Sequence, residues 1–381
     1  MSDAAPQAAL NAIRAAEAEA GYSDPTASEF LPQLTAWVAA CQATALTEAG
    51  RISVEEMTHR WLLNRLRLAR DLAAHPEIRD EDVSDPIVVV GFPRSGTTVL
   101  QRMLSADPAV QSLKLWKVLN PAPFADEQPE NPEGRFAFAK QVADTTKTGN
   151  PLLFSAHPQF ADDAEEDWFL HHLTFRHALN LCCGPFNREY LEYLRGQPRQ
   201  PTYTYAGDLL RYLQWQDGGR RGRPWIMKSP AHIGYIEEIL KVHPKATFVY
   251  PRRDFATVMA SFCYTLEMSL TGVYPIDPRE LGALSMDLWL HEMERFYDAR
   301  RRLGDRLKLM EIPYLELLSD PIPHIGRIHR QAGRELDERG ESAIEAWISN
   351  NPPNKHGKNV YSLDRYGLEK STVEDAFAKF D

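Results

Sequence analysis

The stretch Gly91-Phe92-Pro93-Arg94-Ser95-Gly96-Thr97-Thr98 has the residue types and spacing to hold an anion. The β-branched run Ile87-Val88-Val89-Val90 precedes it, and the helix-periodic VLQRMLSAD follows. A glycine-bearing turn between a buried strand and a helix aims backbone N–H groups at a phosphate, with the helix dipole behind them. The spacing of Gly91 and Gly96 fits the GxxxxGK[ST] outline of nucleotide loops, but Thr97 stands where that outline has lysine. The cation lies inside the loop instead, at Arg94, and no apolar strand ending in aspartate supplies a magnesium ligand. The chemistry on offer is anion binding without the usual metal apparatus.

A second basic element begins at Tyr250-Pro251-Arg252-Arg253-Asp254, where another apolar run turns into a helical stretch. Ser261 follows Arg253 by eight residues. Arginine offers phosphate a fork of donors and serine adds one hydroxyl, so this pair suits a second phosphate. In Trp225-Ile226-Met227-Lys228-Ser229-Pro230-Ala231-His232, Lys228 closes a third apolar run. Lys228 is a point charge that can also pass a proton. His232 titrates near neutrality and is the first choice for a general base. The rivals are His157, Glu165, Glu166, Asp167, His171 and His172. Asp167 and His171 are four residues apart, hence on one face of a helix.

These groups need a scaffold that brings three strand ends together. Strands are predicted over 87–90, 225–228, 247–250 and 307–312, alternating with helices over 205–216, 233–242, 255–266 and 280–303. That alternation predicts an α/β fold, a P-loop-like parallel sheet flanked by helices. Three- and four-residue apolar spacing over the first 80 residues predicts an N-terminal helical extension, and Asp85-Pro86 breaks it. The expected division is 1–84 for the extension and 85–381 for the α/β domain. Residues 107–160, rich in Pro, Asn and Gly, read as mostly loop with one short helix, and 162–181 as one helix.

Composition narrows the partners. The chain of 381 residues is 43% apolar and 25% charged, with a formal net charge of −10. That balance argues against nucleic acid or an anionic membrane as a general partner. Cys41, Cys182, Cys183 and Cys263 show no CxxC spacing and no histidine at zinc-finger distance, so no metal is expected from them. The N-terminus lacks the apolar core of a signal peptide, and no run is long enough to span a membrane, so a cytoplasmic location is expected. A homo-oligomer stays open.

Taken together, the loop and the Arg253…Ser261 element resemble the sulfotransferases that use 3′-phosphoadenosine-5′-phosphosulfate (PAPS). The match is strongest to a bacterial branch that also carries W-x-x-K-S-P-x-H and a C-terminal K-H-G…Y-S-L stretch. Here these are Trp225–His232 and Lys355-His356-Gly357-Lys358-Asn359-Val360-Tyr361-Ser362-Leu363. The resemblance runs from about residue 86 to residue 377. It implies that Arg94, Ser95, Gly96, Thr97 and Thr98 grip the 5′-phosphosulfate, and that Arg253 and Ser261 hold the 3′-phosphate. It also implies that Lys355, His356 and Gly357 close over that phosphate. Animal cytosolic members have Lys at the place of Arg94, and some membrane-bound relatives have a Glu base where residues 111–117 hold no carboxylate.

On this reading a sulfuryl group passes in line from PAPS to an acceptor hydroxyl, alcohol or phenol, and PAP leaves, with no metal required. Arg94 and Lys228 would stabilise the charge that builds on the bridging oxygen. The acceptor is expected to be a small apolar or aromatic molecule, met by aromatic residues of 115–215 and 264–280. Two other readings remain: a P-loop nucleotide kinase or NTPase, against which Thr97 speaks, and a non-catalytic PAP-binding protein.

Overall fold

The computed structural model describes residues 4–125, 127, 128, 131–219, 222–352, 355, 357 and 359–380. Its frame is a parallel sheet of β1 (Ile87–Val89), β2 (Gln111–Ser112), β3 (Trp225–Lys228), β4 (Thr247–Arg252) and β5 (Leu309–Pro313). The order across the sheet is β2-β3-β1-β4-β5. Val89 is in register with Lys228 on one side and Val249 on the other. The loop after β1, the end of β3 and the end of β4 therefore meet at one sheet edge. This is the carboxyl edge, where open parallel sheets bind their ligands.

Both faces of the sheet are covered. Side chains of a strand alternate between faces, and β1 shows this directly: Val88 joins one core cluster, Ile87 and Val89 the other. The Ile87 side also takes Ile226, Val249 and Ile312 from the sheet, with Leu100, Leu104, Ile325, Ile328 and Ile344 over them.

Three helices open the chain: α1 (Ala4–Ala20), α2 (Ala27–Ala43) and α3 (Glu48–Ala74). Their Phe30, Trp37 and Trp61 belong to the same cluster as Val88, Tyr203 and Trp289. Arg65 is buried in this contact, its Nη1 donating to Leu173 O at 2.8 Å and its guanidinium lying 3.8 Å from the Phe30 ring centre.

The chain continues through α4 (Thr97–Ala106), α5 (Leu115–Leu119), α6 (Glu133–Gly149), α7 (Pro151–Ala156) and α8 (Trp168–His171). Two expectations are corrected here. Residues 107–160 hold three helices, because Pro132 and Pro151 start helices rather than interrupt them. Proline is tolerated in the first turn, and the Asn150 side chain caps α7 by accepting from Leu153 N at 3.0 Å. Residues 162–181 are not one helix. Phe175, at φ 56°, ends the segment after α8, and 3-10 turns cover His172–Thr174 and Ala178–Cys183.

Helices α9 (Arg188–Arg195), α10 (Gln200–Gln216), α11 (Ile236–Val242), α12 (Phe255–Leu270) and α13 (Pro278–Leu303) flank the sheet. The C-terminal part adds α14 (Tyr314–Ser319), α15 (Pro321–Gln331), α16 (Glu338–Asn350) and α17 (Lys370–Phe377). No described helix is long and apolar enough to cross a membrane.

Candidate active site

The loop after β1 turns sharply to deliver its N–H groups to α4. Arg94 sits at φ 68° and Gly96 at φ 97°. A non-glycine residue in the left-handed region stores strain, which functional loops often hold. Ser95 turns its hydroxyl inward, donating to Phe92 O at 2.7 Å, and so braces the turn. A Cβ on Gly96 would stand 2.4 Å from the ring of Tyr314, which lies directly against the loop.

Arg94 and the second basic element meet. Arg94 Nε donates to Ser261 Oγ at 3.1 Å, and Arg253 Nη1 donates to Arg94 O at 3.1 Å. The Arg253 guanidinium lies 4.8 Å from the centre of the Tyr314 ring. Burial lowers the pKa of Arg94, with Arg253 adding like-charge repulsion, so this pair of cations favours an anion between them. Tyr314 is a site residue that the sequence reading omits. Its signal was position, since the residue that follows a parallel strand arrives at the same sheet edge.

Beside the loop lies a cavity of about 290 Å³. Arg94, Thr97, Thr98, Lys228, Glu166 and His157 form its polar end. Leu153, Trp168, Phe169, Leu179, Phe262, Leu266 and Trp289 form its apolar wall. Lys228 is 1% exposed, donates to Thr98 Oγ1 at 3.0 Å and pairs closely with the Glu166 carboxylate. The neighbouring Glu165 carboxylate meets His157 Nε2 at 3.2 Å and accepts from Gln159 Nε2 at 3.1 Å. Burial opposes its charge, but His157, Arg102 and Lys228 outweigh it and hold the Glu165 pKa low.

His232 is not in the cavity lining. It is fully buried, with Nε2 2.8 Å from Asp167 Oδ2 and Nδ1 2.7 Å from the Tyr203 hydroxyl. Asp167 keeps a lowered pKa: burial opposes its charge, but His232 more than compensates, so the carboxylate accepts from the Nε2–H of His232. Asp167 N also donates to Lys228 O at 3.1 Å, which ties the 165–167 strip to the end of β3. The structure thus brings Arg94, Thr97, Thr98 and Lys228 to the cavity with Glu166 and His157, and Arg253 and Ser261 to the loop beside it.

The C-terminal element is placed in part. Lys355 Nζ donates to Asn350 O at 2.9 Å and Asn351 Oδ1 at 3.1 Å, at the end of α16. Gly357, at φ 107°, lies against Ser155 of α7. His356 lies outside the described residues.

This edge sets Arg94 and Lys228 beside a cavity with an apolar wall, an arrangement suited to an enzyme that moves an anionic group. Comparison with known proteins gives the family: the chain belongs to the sulfotransferase family, whose model matches residues 86–338, and this membership implies PAPS as the sulfuryl donor. It is similar to the omega-hydroxy-beta-dihydromenaquinone-9 sulfotransferase of Mycobacterium bovis, 25% identical over 311 residues, covering 76% of this chain and 77% of that one. Among solved structures, the sulfotransferase STF9 from Mycobacterium avium superposes with a TM-score of 0.83 at 26% identity, covering 97% of this chain and 95% of that one. STF1 from Mycobacterium tuberculosis H37Rv gives 0.79 at 26% identity, covering 97% and 98%.

Proposed function

We propose that this sulfotransferase passes the sulfuryl group of PAPS to a hydroxyl on an apolar acceptor by in-line displacement, releasing PAP. The observation that carries the reading is the short path from the loop after β1 through Lys228 to a carboxylate that lines an apolar cavity. Loop N–H groups and Arg94 hold the 5′-phosphosulfate, while Arg253 and Ser261 take the 3′-phosphate. Lys228 sits where charge develops on the bridging oxygen, so it lowers the barrier without reorganising. Arg94 and Lys228 supply the positive charge on which transfer relies.

We assign the base to Glu166. Its oxygen lies against Lys228, and the donor's sulfuryl oxygens compete for that lysine when PAPS binds, which frees the carboxylate for the acceptor proton. His157, oriented by Glu165, lines the same cavity. His232, with both ring nitrogens engaged away from it, serves to position the 165–167 strip.

A cavity near 290 Å³ is at the small end of ligand sites. It suits the reacting end of an acceptor, with the remainder projecting from the mouth. The named activity of the M. bovis relative, on a hydroxylated menaquinone, supports an alcohol on an apolar molecule. The cytoplasm, which supplies the nucleotide donor, is the location we assign.

Thermal shift without added metal tests the donor. PAP should raise the melting temperature well above AMP or ATP, whereas stabilisation by ATP with Mg²⁺ and none by PAP would return the chain to the nucleotide kinases. A screen of alcohols, phenols and sterols with PAPS then addresses the acceptor.

A further inference from the structure

Behind the Glu166–Lys228 pair lies a cluster that the transfer does not use. Asp167 borders the first turn of α8 and His171 stands four residues on, so both project from one side of the segment. His232 comes from the turn that follows β3. Asp167 is 1% exposed and the two histidines 0%. One ligating atom from each lies within 4.8 Å of the other two. Both ring nitrogens of His171 and Oδ1 of Asp167 lack a hydrogen-bond partner. A buried polar atom left unpaired is costly, and one nitrogen of His171 together with the Asp167 carboxylate can be met by one shared partner.

We propose that Asp167, His171 and His232 bind one divalent transition-metal ion of the zinc type, in a structural role. Two imidazoles and a carboxylate are donors such an ion takes. Asp167 Oδ2 and His232 Nε2 are 2.8 Å apart. That is a hydrogen-bond separation; ligands with bonds of about 2.0–2.2 Å round a tetrahedral ion stand about 3.3–3.6 Å apart, so the pair would open by roughly half an ångström or more to admit one. On the far side of His232, the Tyr203 hydroxyl supplies the outer hydrogen bond that fixes a ligating ring. When the ion enters, the imidazole proton moves from Nε2 to Nδ1, and the hydroxyl accepts it in a hydrogen bond.

His177 packs on His171 with ring centres 4.8 Å apart, but it is not a ligand. Its Nδ1 accepts from Leu179 N, so its Nε2 carries the proton. None of the three ligands lines the acceptor cavity, so the ion does not touch the reacting atoms. It cross-links the 165–171 segment to the turn after β3, and thereby holds Glu166 against Lys228. The cysteine spacing that argues against a zinc finger has no bearing on a site made of histidine and aspartate.

The test is metal content. Untagged protein, expressed in zinc-supplemented medium and purified without chelator, should carry about one zinc per chain by inductively coupled plasma mass spectrometry. His171→Ala and Asp167→Asn should each lose it. Protein grown with cobalt should show visible d–d bands without a thiolate charge-transfer band, and its melting temperature should exceed that of the chelated protein. Metal-free wild-type protein overturns the proposal. So does zinc that survives both variants, or zinc that leaves with His157→Ala, which would place it at the neighbouring His157, Glu165 and Glu166. If the two variants fail to fold, the wild-type metal content and the His157→Ala protein still decide.

Discussion

Arg253 reaches the loop through one nitrogen and lies over Tyr314, which leaves its remaining donors for a ligand at the sheet edge. Hydrogen bonds to charged groups contribute about 1.5–3 kcal/mol. Arg253→Ala should therefore weaken PAP by roughly 10- to 100-fold in a calorimetric titration. AMP, which has no 3′-phosphate, should change little, and equal loss for both would refute the assignment. Glu166→Gln keeps the shape of the cavity but removes the carboxylate we assign as base. We expect kcat to fall by about 10²–10⁴ while PAP affinity stays near wild type. Retained turnover in Glu166→Gln with loss in His157→Gln would transfer the role to His157. The meeting of Arg94, Arg253 and Ser261 was legible in the sequence because two basic elements at strand ends of one parallel sheet arrive at the same edge. The carboxylates and histidines near the cavity were legible only as a group of rivals. Which of these faces the cavity depends on the non-helical stretch between α7 and α8, and nothing in local periodicity announces it.

At the scale of elements, the contact between Gly96 and Tyr314 couples the start of α4 to the residue after β5. Gly96→Ala faces two obstacles, a positive φ and a ring at 2.4 Å. The left-handed conformation alone costs an alanine about 1–2 kcal/mol. Gly96→Ala should lower the melting temperature and weaken PAP, and adding Tyr314→Ala should recover the steric share but not the backbone share. A double variant no better than the single would show that the ring yields freely. Strands β1, β3 and β4 were readable because buried parallel strands are short apolar runs, and the half-buried edge strand β5 from its apolar residues after a helix. Helices α6 and α7 were not, since Pro and Asn at a helix start look the same in sequence as Pro and Asn in a loop.

Across the whole molecule, histidines that burial keeps neutral should weaken the fold in acid. His243 is one: its Nδ1–H donates to Val83 O at 2.6 Å, and burial pushes its pKa down to about 4. The unfolded chain binds a proton near pH 6.5 that the folded chain refuses until about pH 4. Stability should therefore fall as pH drops through that window, at a slope of up to about 1.4 kcal/mol per pH unit from this residue. His243→Asn, whose amide can donate to the same carbonyl, should flatten part of the slope in urea titrations at pH 7 and pH 4.5. An unchanged slope would assign the acid response to other groups. The N-terminal helices were legible as helices, but not their depth of engagement. Trp37 and Trp61 are buried in the same core that packs under the sheet, with Trp37 Nε1 donating to Thr58 Oγ1 at 2.8 Å.

The apolar wall of the cavity comes largely from α7, α8 and α12, whereas most of the groups we assign to the donor stand at the ends of β1, β3 and β4, Ser261 of α12 being the exception. On that assignment, lineages can trade one recipient for another by altering helix side chains while leaving the strand-end residues in place. Evolution can treat the recipient as a variable and the donor as a constant, which is how a single scaffold can come to modify many different metabolites.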